Sequence, residues 1–175
     1  MTSPRILVAG IGNIFLCDDA FGVEVVRLLE KRPLPDGVTM KDFGIRGFDL
    51  AYALLDDYDV SILVDATPRG GEPGTIYIIE ADTNGDDANQ EGAEDNQPHM
   101  DAHRMDPESV FRLVRRLDGH LRRVLVVGCE PATFDDESME LSAPVAAAVP
   151  VAAARIEALL NELRLAAPAG PGVAI

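Results

Sequence analysis

Carboxylates in two short stretches could do chemistry. Asp18 and Asp19 are adjacent in "GIGNIFLCDDAFG" (10–22), and Asp65 closes the apolar stretch "VSILVDA" (60–66). Carboxylates can act as general acid and base, and they can hold divalent metal ions. A carboxylate at the end of an otherwise apolar strand is costly unless it is paired, hydrogen-bonded or bound to a cation. These residues therefore point to acid–base or metal chemistry.

Each acid also has a structural explanation. An Asp at a helix start accepts unpaired backbone N–H groups and contributes about 1 kcal/mol. One acid is enough for this role, so we assign Asp18 mainly to capping, and Asp19 remains for chemistry. Asp65 could instead cap a helix or accept hydrogen bonds from the turn "TPRGG" (67–71) that follows it.

A nucleotide-binding loop is an alternative for the first stretch. Gly10 and Gly12 fit the spacing of a dinucleotide fingerprint, but Phe15 stands where its third glycine should be. Asp42 could imitate the acid that binds the ribose. Phosphates bind helix N-termini through free N–H groups and positive partial charge, which the acid pair would already use and would repel. This reading is therefore disfavoured.

Bulk properties exclude several other classes. The chain has 175 residues, a formal net charge of −15 and a pI near 4.4, which disfavours binding to nucleic acids and to anionic membranes. Two cysteines are too few for a disulfide framework. We expect no membrane span in the Ala-rich segment near the C-terminus, because Pro144, Pro150 and Arg155 interrupt it. A cytoplasmic location is the resulting expectation.

Apolar runs alternate with segments of helical periodicity. The predicted strands are 5–10, 38–43, 60–66, 75–80 and 123–128, and the predicted helices are 20–32, 48–57, 107–117 and 142–164. This pattern predicts a three-layer α/β/α sandwich around a mostly parallel five-stranded sheet. The link "TPRGGEPG" (67–74) is too short for a crossover helix, so the fourth strand should be antiparallel. We predict the strand order 2-1-3-5-4.

One domain accounts for the chain. We place it at residues 1–165, with an acidic, Gly- and Asn-rich loop at 81–98 that we expect to be mobile. The tail at 166–175 should be disordered.

The sheet predicts a shared crevice for the acids. Ligands of open α/β sheets bind at the carboxyl ends of the strands, where Asp19 and Asp65 would both lie. The loop "QPHMDAHRMDPESVFRLV" (97–114) could add an imidazole from His99 or His103. Two carboxylates and one histidine suit Zn, Ni or Fe, although a loop histidine is as often an ordinary surface residue.

In combination, the motifs resemble a known family, the endopeptidases that mature [NiFe] hydrogenases. The similarity covers roughly residues 5 to 160 and depends on the order and spacing of several stretches. They are "ILVAGIGNIFLCDDAFG" (6–22), "DFGIRGFDLAYALLDDYDVSILVDA" (42–66), "GEPGTIYIIE" (71–80), "DAHRMDPESVFRL" (101–113) and "VVGCEPA" (126–132).

The resemblance implies a function and a site. Members of the family cut a C-terminal extension from the nickel-loaded large-subunit precursor. Their two acids and histidine correspond to Asp19, Asp65 and His103, which implies that all three contact nickel and that the two acids are catalytic. His103 is preferred to His99 because it has the family's spacing to the following helix. The nickel would come with the substrate, and no organic cofactor is implied.

Other roles stay open. The stretch "FGIRGFDL" (43–50) could contact the substrate through Gly44, Arg46 and Gly47, or it could be an ordinary turn. Peptide cleavage could proceed with the metal as Lewis acid or with an aspartate as general base. A non-catalytic metal-binding or metallochaperone module for the same precursor is the alternative function.

Overall fold

Five segments rich in Val, Ile and Leu form one sheet. The computed structural model describes residues 3–83, 107–134 and 138–166. Its strands are β1 (Ile6–Ile11), β2 (Val38–Gly44), β3 (Val60–Ala66), β4 (Ile76–Glu80) and β5 (Arg123–Cys129). Its helices are α1 (Phe21–Leu29), α2 (Gly47–Leu54), α3 (Pro107–Arg116) and α4 (Ala143–Ala166), and a 3₁₀ turn at Cys17–Ala20 precedes α1.

The sheet has the predicted order, β2-β1-β3-β5-β4. β1 pairs in parallel with both β2 and β3, β3 pairs in parallel with β5, and β4 is antiparallel to β5. Every residue of β1 and β3 is buried, because these central strands are covered on both faces. The predicted three-layer α/β fold is therefore confirmed.

Two apolar cores lie on opposite faces of the sheet. On one face, α1 and α4 pack over β1, β3 and β5 through large side chains such as Phe21 and Ile156. On the other face, α2 and α3 cover the sheet through Leu50, Phe111 and Val114. Helices thus cover both faces of the sheet, and its carboxyl edge can present side chains in defined positions.

The helix predicted at 142–164 is present as α4. Pro144 and Pro150, on which the expectation of no membrane span depended, both lie inside this continuous helix. Within the described residues it is the one helix that is long and apolar enough to cross a membrane. It also carries a stripe at helical spacing that packs into the core, as the core helices of globular proteins do: Val145, Ala148, Ala152, Ala153, Ile156 and Leu160.

Part of the domain prediction is not described by the structure. The predicted mobile loop at 81–98 is described only to residue 83, and the predicted tail at 166–175 only at residue 166. Both remain predictions.

Glycines bring the start of α1 against the strand ends. A Cβ atom on Gly22 would lie 2.0 Å from the carbonyl oxygen of Val64 and 2.4 Å from that of Ile11. Gly12 has a φ of +136°, and a Cβ there would lie 1.7 Å from the carbonyl oxygen of Asp19. Only glycine permits these approaches. They hold the loop between β1 and α1 directly against the end of β3.

Asp18 ties this loop to the connection between β5 and α4. It is fully buried. Its Oδ2 accepts the N–H groups of Ala132 (2.8 Å) and Thr133 (3.1 Å) and the hydroxyl of Ser142 (2.9 Å). Its Oδ1 accepts the N–H of Ser142 at 2.7 Å. The capping prediction was wrong, because neither the 3₁₀ turn nor α1 has a side-chain cap.

These hydrogen bonds keep Asp18 ionised. Burial by itself would raise the pKa of the carboxyl, but hydrogen bonds from Ser142, Ala132 and Thr133 together outweigh burial and hold the pKa below its ordinary value of 3.8. A carboxyl whose pKa is lowered in the folded state stabilises the fold at pH values above its ordinary pKa. This contribution is lost as the pH falls through the folded-state pKa.

We predict that Asp18→Asn lowers the free energy of unfolding by at least about 3 kcal/mol at neutral pH, because an amide cannot accept all of these bonds. Denaturant titrations between acidic and neutral pH should show a flatter pH dependence below pH 4 in the variant. Equal stability of variant and wild type at neutral pH would contradict this role.

Gly22→Ala tests the helix contact. Helix propensity alone predicts a gain of about 1 kcal/mol. The contact with Val64 and Ile11 predicts a loss of about 3 kcal/mol instead, because α1 must move away from the strand ends. Thermal unfolding distinguishes the two signs, and a stabilised variant would show that the approach is not close.

Candidate active site

Asp19 lies in the loop that the glycines hold. It belongs to the 3₁₀ turn Cys17–Ala20 and is partly buried. Its Oδ2 accepts the N–H of Asn13 at 2.7 Å. Cys17, two residues earlier, has a φ of +44°, a left-handed conformation that is strained for a residue with a side chain. Its N–H donates to the carbonyl of Ser138 at 2.9 Å, which holds the strained residue in place.

Asp65 occupies the next to last position of β3. It is 8% exposed, and its Oδ1 accepts the N–H of Ala66 at 2.8 Å. Its partner across the ladder is Gly128 of β5. The sequence analysis left open whether Asp65 accepts hydrogen bonds from the N–H groups of the turn at 67–71. The acceptor of two of these groups, those of Arg69 and Gly70, is Glu130.

The structure brings Asp19 and Asp65 to one cavity. Its volume is about 490 Å³, and it opens at the carboxyl ends of β1 and β3. Gly22 packs on the carbonyl of Val64, one residue before Asp65, and so holds the loop of Asp19 against this strand end. The other lining residues come from several loops and from β3, β4, β5 and α3: Gly12, Ile45, Ala66, Thr67, Pro68, Ile79, Glu80, Ala81, Asp82, Pro107, Glu108, Phe111, Val126 and Phe134.

The cavity combines acidic and apolar walls. Five of its lining residues are carboxylates, of which Glu80 pairs with Arg123 at 3.0 Å, and none of the lining residues within the described ranges is Lys, Arg or His. A concave surface that is lined by one sign of charge concentrates counter-ions, so this cavity attracts cations. Phe111, Val126 and Ile79 supply apolar surface beside the acids. Such a site can receive a cation together with an apolar chain segment.

The predicted histidine cannot be placed. His103 and its alternative, His99, both lie outside the described residues. The described chain resumes at Pro107, which lines the cavity. Among the residues that the structure describes, no group of three or more His, Cys, Asp or Glu side chains is arranged to hold a metal ion. The assignment of His103 therefore remains a prediction.

The predicted substrate-contacting loop reaches the cavity through a different residue. Ile45 lines the cavity, whereas Gly44, Arg46 and Gly47 are not among its lining residues. The Arg46 guanidinium turns back, and its Nε donates to the carbonyl of Phe43 at 3.0 Å. Gly44 accepts the N–H of Gly12 through its carbonyl at 3.0 Å, which joins this loop to the first one. Contact of these three residues with a substrate stays a prediction.

Glu130 is a residue whose role sequence reasoning missed. It is 4% exposed and follows β5 in "GCEPA". Burial would raise the pKa of Glu130, but hydrogen bonds from Arg69, Tyr77, Gly71 and Gly70 together lower it below 4.5. The signal that the sequence offered for this role was a glutamate directly after an apolar strand. Its donors lie some 60 residues earlier, so no local pattern indicated the role.

The thiol of Cys129 does not supply a nucleophile. It is fully buried, and its burial together with the nearby Asp18 carboxylate raises its pKa to about 12. The neutral thiol form therefore dominates at physiological pH, and thiols react as nucleophiles only when they are ionised.

Packing explains the glycines of the apparent nucleotide motif. A Cβ on Gly10 would lie 2.6 Å from the carbonyl oxygen of Gly22, so close packing of α1 on β1 requires glycine there. Asp42, the supposed ribose acid, lies 3.6 Å from the Arg27 guanidinium of α1. Both features thus have roles within the fold, which removes the main support for nucleotide binding.

Comparisons with known proteins agree on one family. The family model described as hydrogenase maturation protease (HycI) matches residues 23–159, more than half of the chain. The hydrogenase expression/formation protein HupD of Rhizobium leguminosarum is 34% identical over 93% of this chain and 75% of the relative. A putative hydrogenase maturation protease of Methanocaldococcus jannaschii is 36% identical over 94% of this chain and 99% of its own.

Solved structures extend this agreement to the fold. The hydrogenase maturating endopeptidase HybD of E. coli superposes with a TM-score of 0.70 and 28% identity, over 90% of this chain and 93% of that chain. A hydrogenase 2 maturation peptidase from the Thaumarchaeota archaeon SCGC_AB-539-E09 gives a TM-score of 0.66 and 29% identity over 90% and 98%. On the combined evidence of the family model, the relatives and the shared fold, this chain belongs to the hydrogenase maturation protease family.

Proposed function

We propose that this protease removes the C-terminal extension of a [NiFe] hydrogenase large-subunit precursor after nickel has been inserted. The observation that carries the proposal is the meeting of Asp19 and Asp65 in one acidic cavity at the carboxyl edge of the sheet. Membership of the hydrogenase maturation protease family supports the choice of substrate. The nickel is part of the substrate in this account, and the protein acts in the cytoplasm.

The donor set fits a nickel ion that the precursor carries. Carboxylate and imidazole groups are ligands that divalent nickel accepts, and the cavity attracts cations. Asp19 and Asp65 would supply two oxygen donors, and His103 would supply the third ligand. His103 precedes Pro107, a lining residue of the cavity, by four positions, which an extended chain spans in about 14 Å. This short link supports the assignment of His103.

The two carboxylates have defined orientations for this task. Backbone N–H groups hold Oδ2 of Asp19 and Oδ1 of Asp65, so neither side chain must be ordered when the substrate arrives. Bound nickel would fix the precursor and polarise the peptide carbonyl near it. One of the two aspartates would then take the proton of the attacking water as general base. The apolar wall would exclude bulk water from the scissile peptide.

A recognition module without catalysis is the alternative. Such a protein would bind the nickel-loaded precursor through the same residues and would release it uncut. The alternative predicts a persistent one-to-one complex and no shortened product.

The proposal predicts which substitutions stop cleavage. With the nickel-loaded precursor from the same organism, Asp19→Asn, Asp65→Asn and His103→Ala should each lower the cleavage rate about 100-fold or more, because each removes a metal contact or the base. The mass of the precursor over time measures the loss of its C-terminal peptide.

Two controls accompany these variants. Asp82→Asn changes another acid of the same cavity and His99→Ala changes the neighbouring histidine, and both should cleave at nearly the wild-type rate. Loss of activity in His99→Ala instead of His103→Ala would overturn the histidine assignment alone. A wild-type protein that binds the precursor but never cuts it would establish the alternative function.

Nickel dependence should follow the substrate and not the protease. Protein that has been dialysed against EDTA should cut the nickel-loaded precursor at an unchanged rate, and it should leave the nickel-free precursor intact. The reason is that the protein itself offers only three candidate ligands, two of them carboxylates, and we expect these to hold a metal weakly when the precursor is absent. A stoichiometric metal that survives chelation, measured by atomic emission, would contradict this.

A further inference from the structure

A buried anion lies beside the cavity and is stabilised by hydrogen bonds alone. The Oε2 atom of Glu130 accepts the N–H of Arg69 (2.8 Å) and the hydroxyl of Tyr77 (2.8 Å). Its Oε1 atom accepts the N–H of Gly70 at 3.1 Å, and the N–H of Gly71 contributes as well. Within the described residues, Glu130 forms no salt bridge. Main-chain N–H groups from one short turn therefore supply most of the hydrogen bonds that stabilise this buried carboxylate.

The turn that Glu130 holds is the continuation of the segment that carries Asp65. Only three residues separate Asp65 from Arg69. Between them, Ala66, Thr67 and Pro68 all line the cavity. The N–H of Thr67 donates to the carbonyl of Cys129 at 2.8 Å, immediately before Glu130. The segment is thus fixed at its β3 end by the sheet and at its far end by the carboxylate.

Glu130 also links the residues just before β4 to the end of β5. Its N–H donates to the carbonyl of Thr75 at 2.8 Å, and its carbonyl accepts the N–H of Gly74 at 2.8 Å. The Tyr77 phenol then contacts the carboxylate from the strand itself. A single residue therefore fixes the whole link between β3 and β4 through both its main chain and its side chain.

From this arrangement we infer that Glu130 is a positioning residue for the protease reaction, which it serves by holding the wall segment Asp65–Pro68 in the geometry that peptide cleavage requires. The inference rests on the proposed function, in which Asp65 contacts the nickel-loaded precursor. Glu130 does not itself line the cavity. It acts through the turn.

The negative charge suits this role. A carboxylate binds N–H groups more strongly than a neutral acceptor does, and two oxygens can serve four donors at once. The lowered pKa of Glu130 agrees with a group that is ionised throughout the physiological range. An apolar residue would leave the N–H groups of Arg69 and Gly70 without this acceptor, and the turn would lose its fixed position.

Two substitutions at Glu130 test the inference. Glu130→Leu removes the acceptor and should lower kcat for the nickel-loaded precursor by about tenfold or more, as loss of an orienting partner does. Glu130→Gln keeps one acceptor oxygen but loses the charge and the second oxygen, so its kcat should lie between those of Glu130→Leu and wild type. Both are assayed well below their unfolding temperatures.

A matched control separates positioning from stability. Leu160→Ala opens a cavity in the core under α4, on the face of the sheet opposite to α2 and α3. It should lower the unfolding temperature without changing kcat. If Glu130→Leu does not fold, Tyr77→Phe takes its place. It removes one donor and should lower kcat by about twofold to fivefold.

The outcomes are distinguishable from failure of the proposed function. If wild-type protein does not cut the precursor, the proposed function fails. If wild type cuts, and folded Glu130→Leu, or Tyr77→Phe in its place, keeps the wild-type kcat, the inference about Glu130 is wrong. It is equally wrong if kcat falls in Leu160→Ala to the same extent, since loss of stability would then explain the effect.

Discussion

The approach of the α1 N-terminus to the ends of β1 and β3 brings Asp19 and Asp65 to the same cavity. Gly22 packs on the carbonyls of Val64 and Ile11, and Gly12 lets the chain pass the backbone of Asp19. A side chain at either position would move the first loop away from β3. The two aspartates that we assign to the reaction would then no longer line the same cavity.

The buried and partly buried carboxylates at this edge of the sheet divide into two groups. Asp18 and Glu130 are nearly or fully buried, and main-chain N–H groups from distant loops or turns satisfy them. They anchor the two segments that carry the other group, Asp19 and Asp65. Those two line the cavity, and each accepts a backbone N–H from a nearby residue. Both the anchors and the site residues depend on charge, but only the site residues face a space that can admit a substrate.

Much of the fold could be predicted from the sequence because it follows from local patterns. Continuous apolar runs marked the buried strands, and the short link at 67–74 required β4 to be antiparallel. Asp19 and Asp65 were singled out as candidates because one belongs to an adjacent acid pair and the other ends an apolar strand. The partners of Asp18 lie more than a hundred residues away, so helix capping, a local rule, gave the wrong role. Glu130 was missed for the same reason. Pro150 does not end the helix that was predicted at 142–164, because packing of α4 outweighs the cost of one proline.

The central claim is that Asp19 and Asp65 bind the nickel that the precursor carries. X-ray absorption at the nickel edge, recorded on the nickel-loaded precursor alone and on samples frozen rapidly after mixing with the protease, tests it directly. The account predicts additional oxygen or nitrogen ligands in the mixed sample, and their loss with Asp19→Asn or Asp65→Asn. An unchanged nickel coordination shell while wild-type protein cuts the precursor would contradict it.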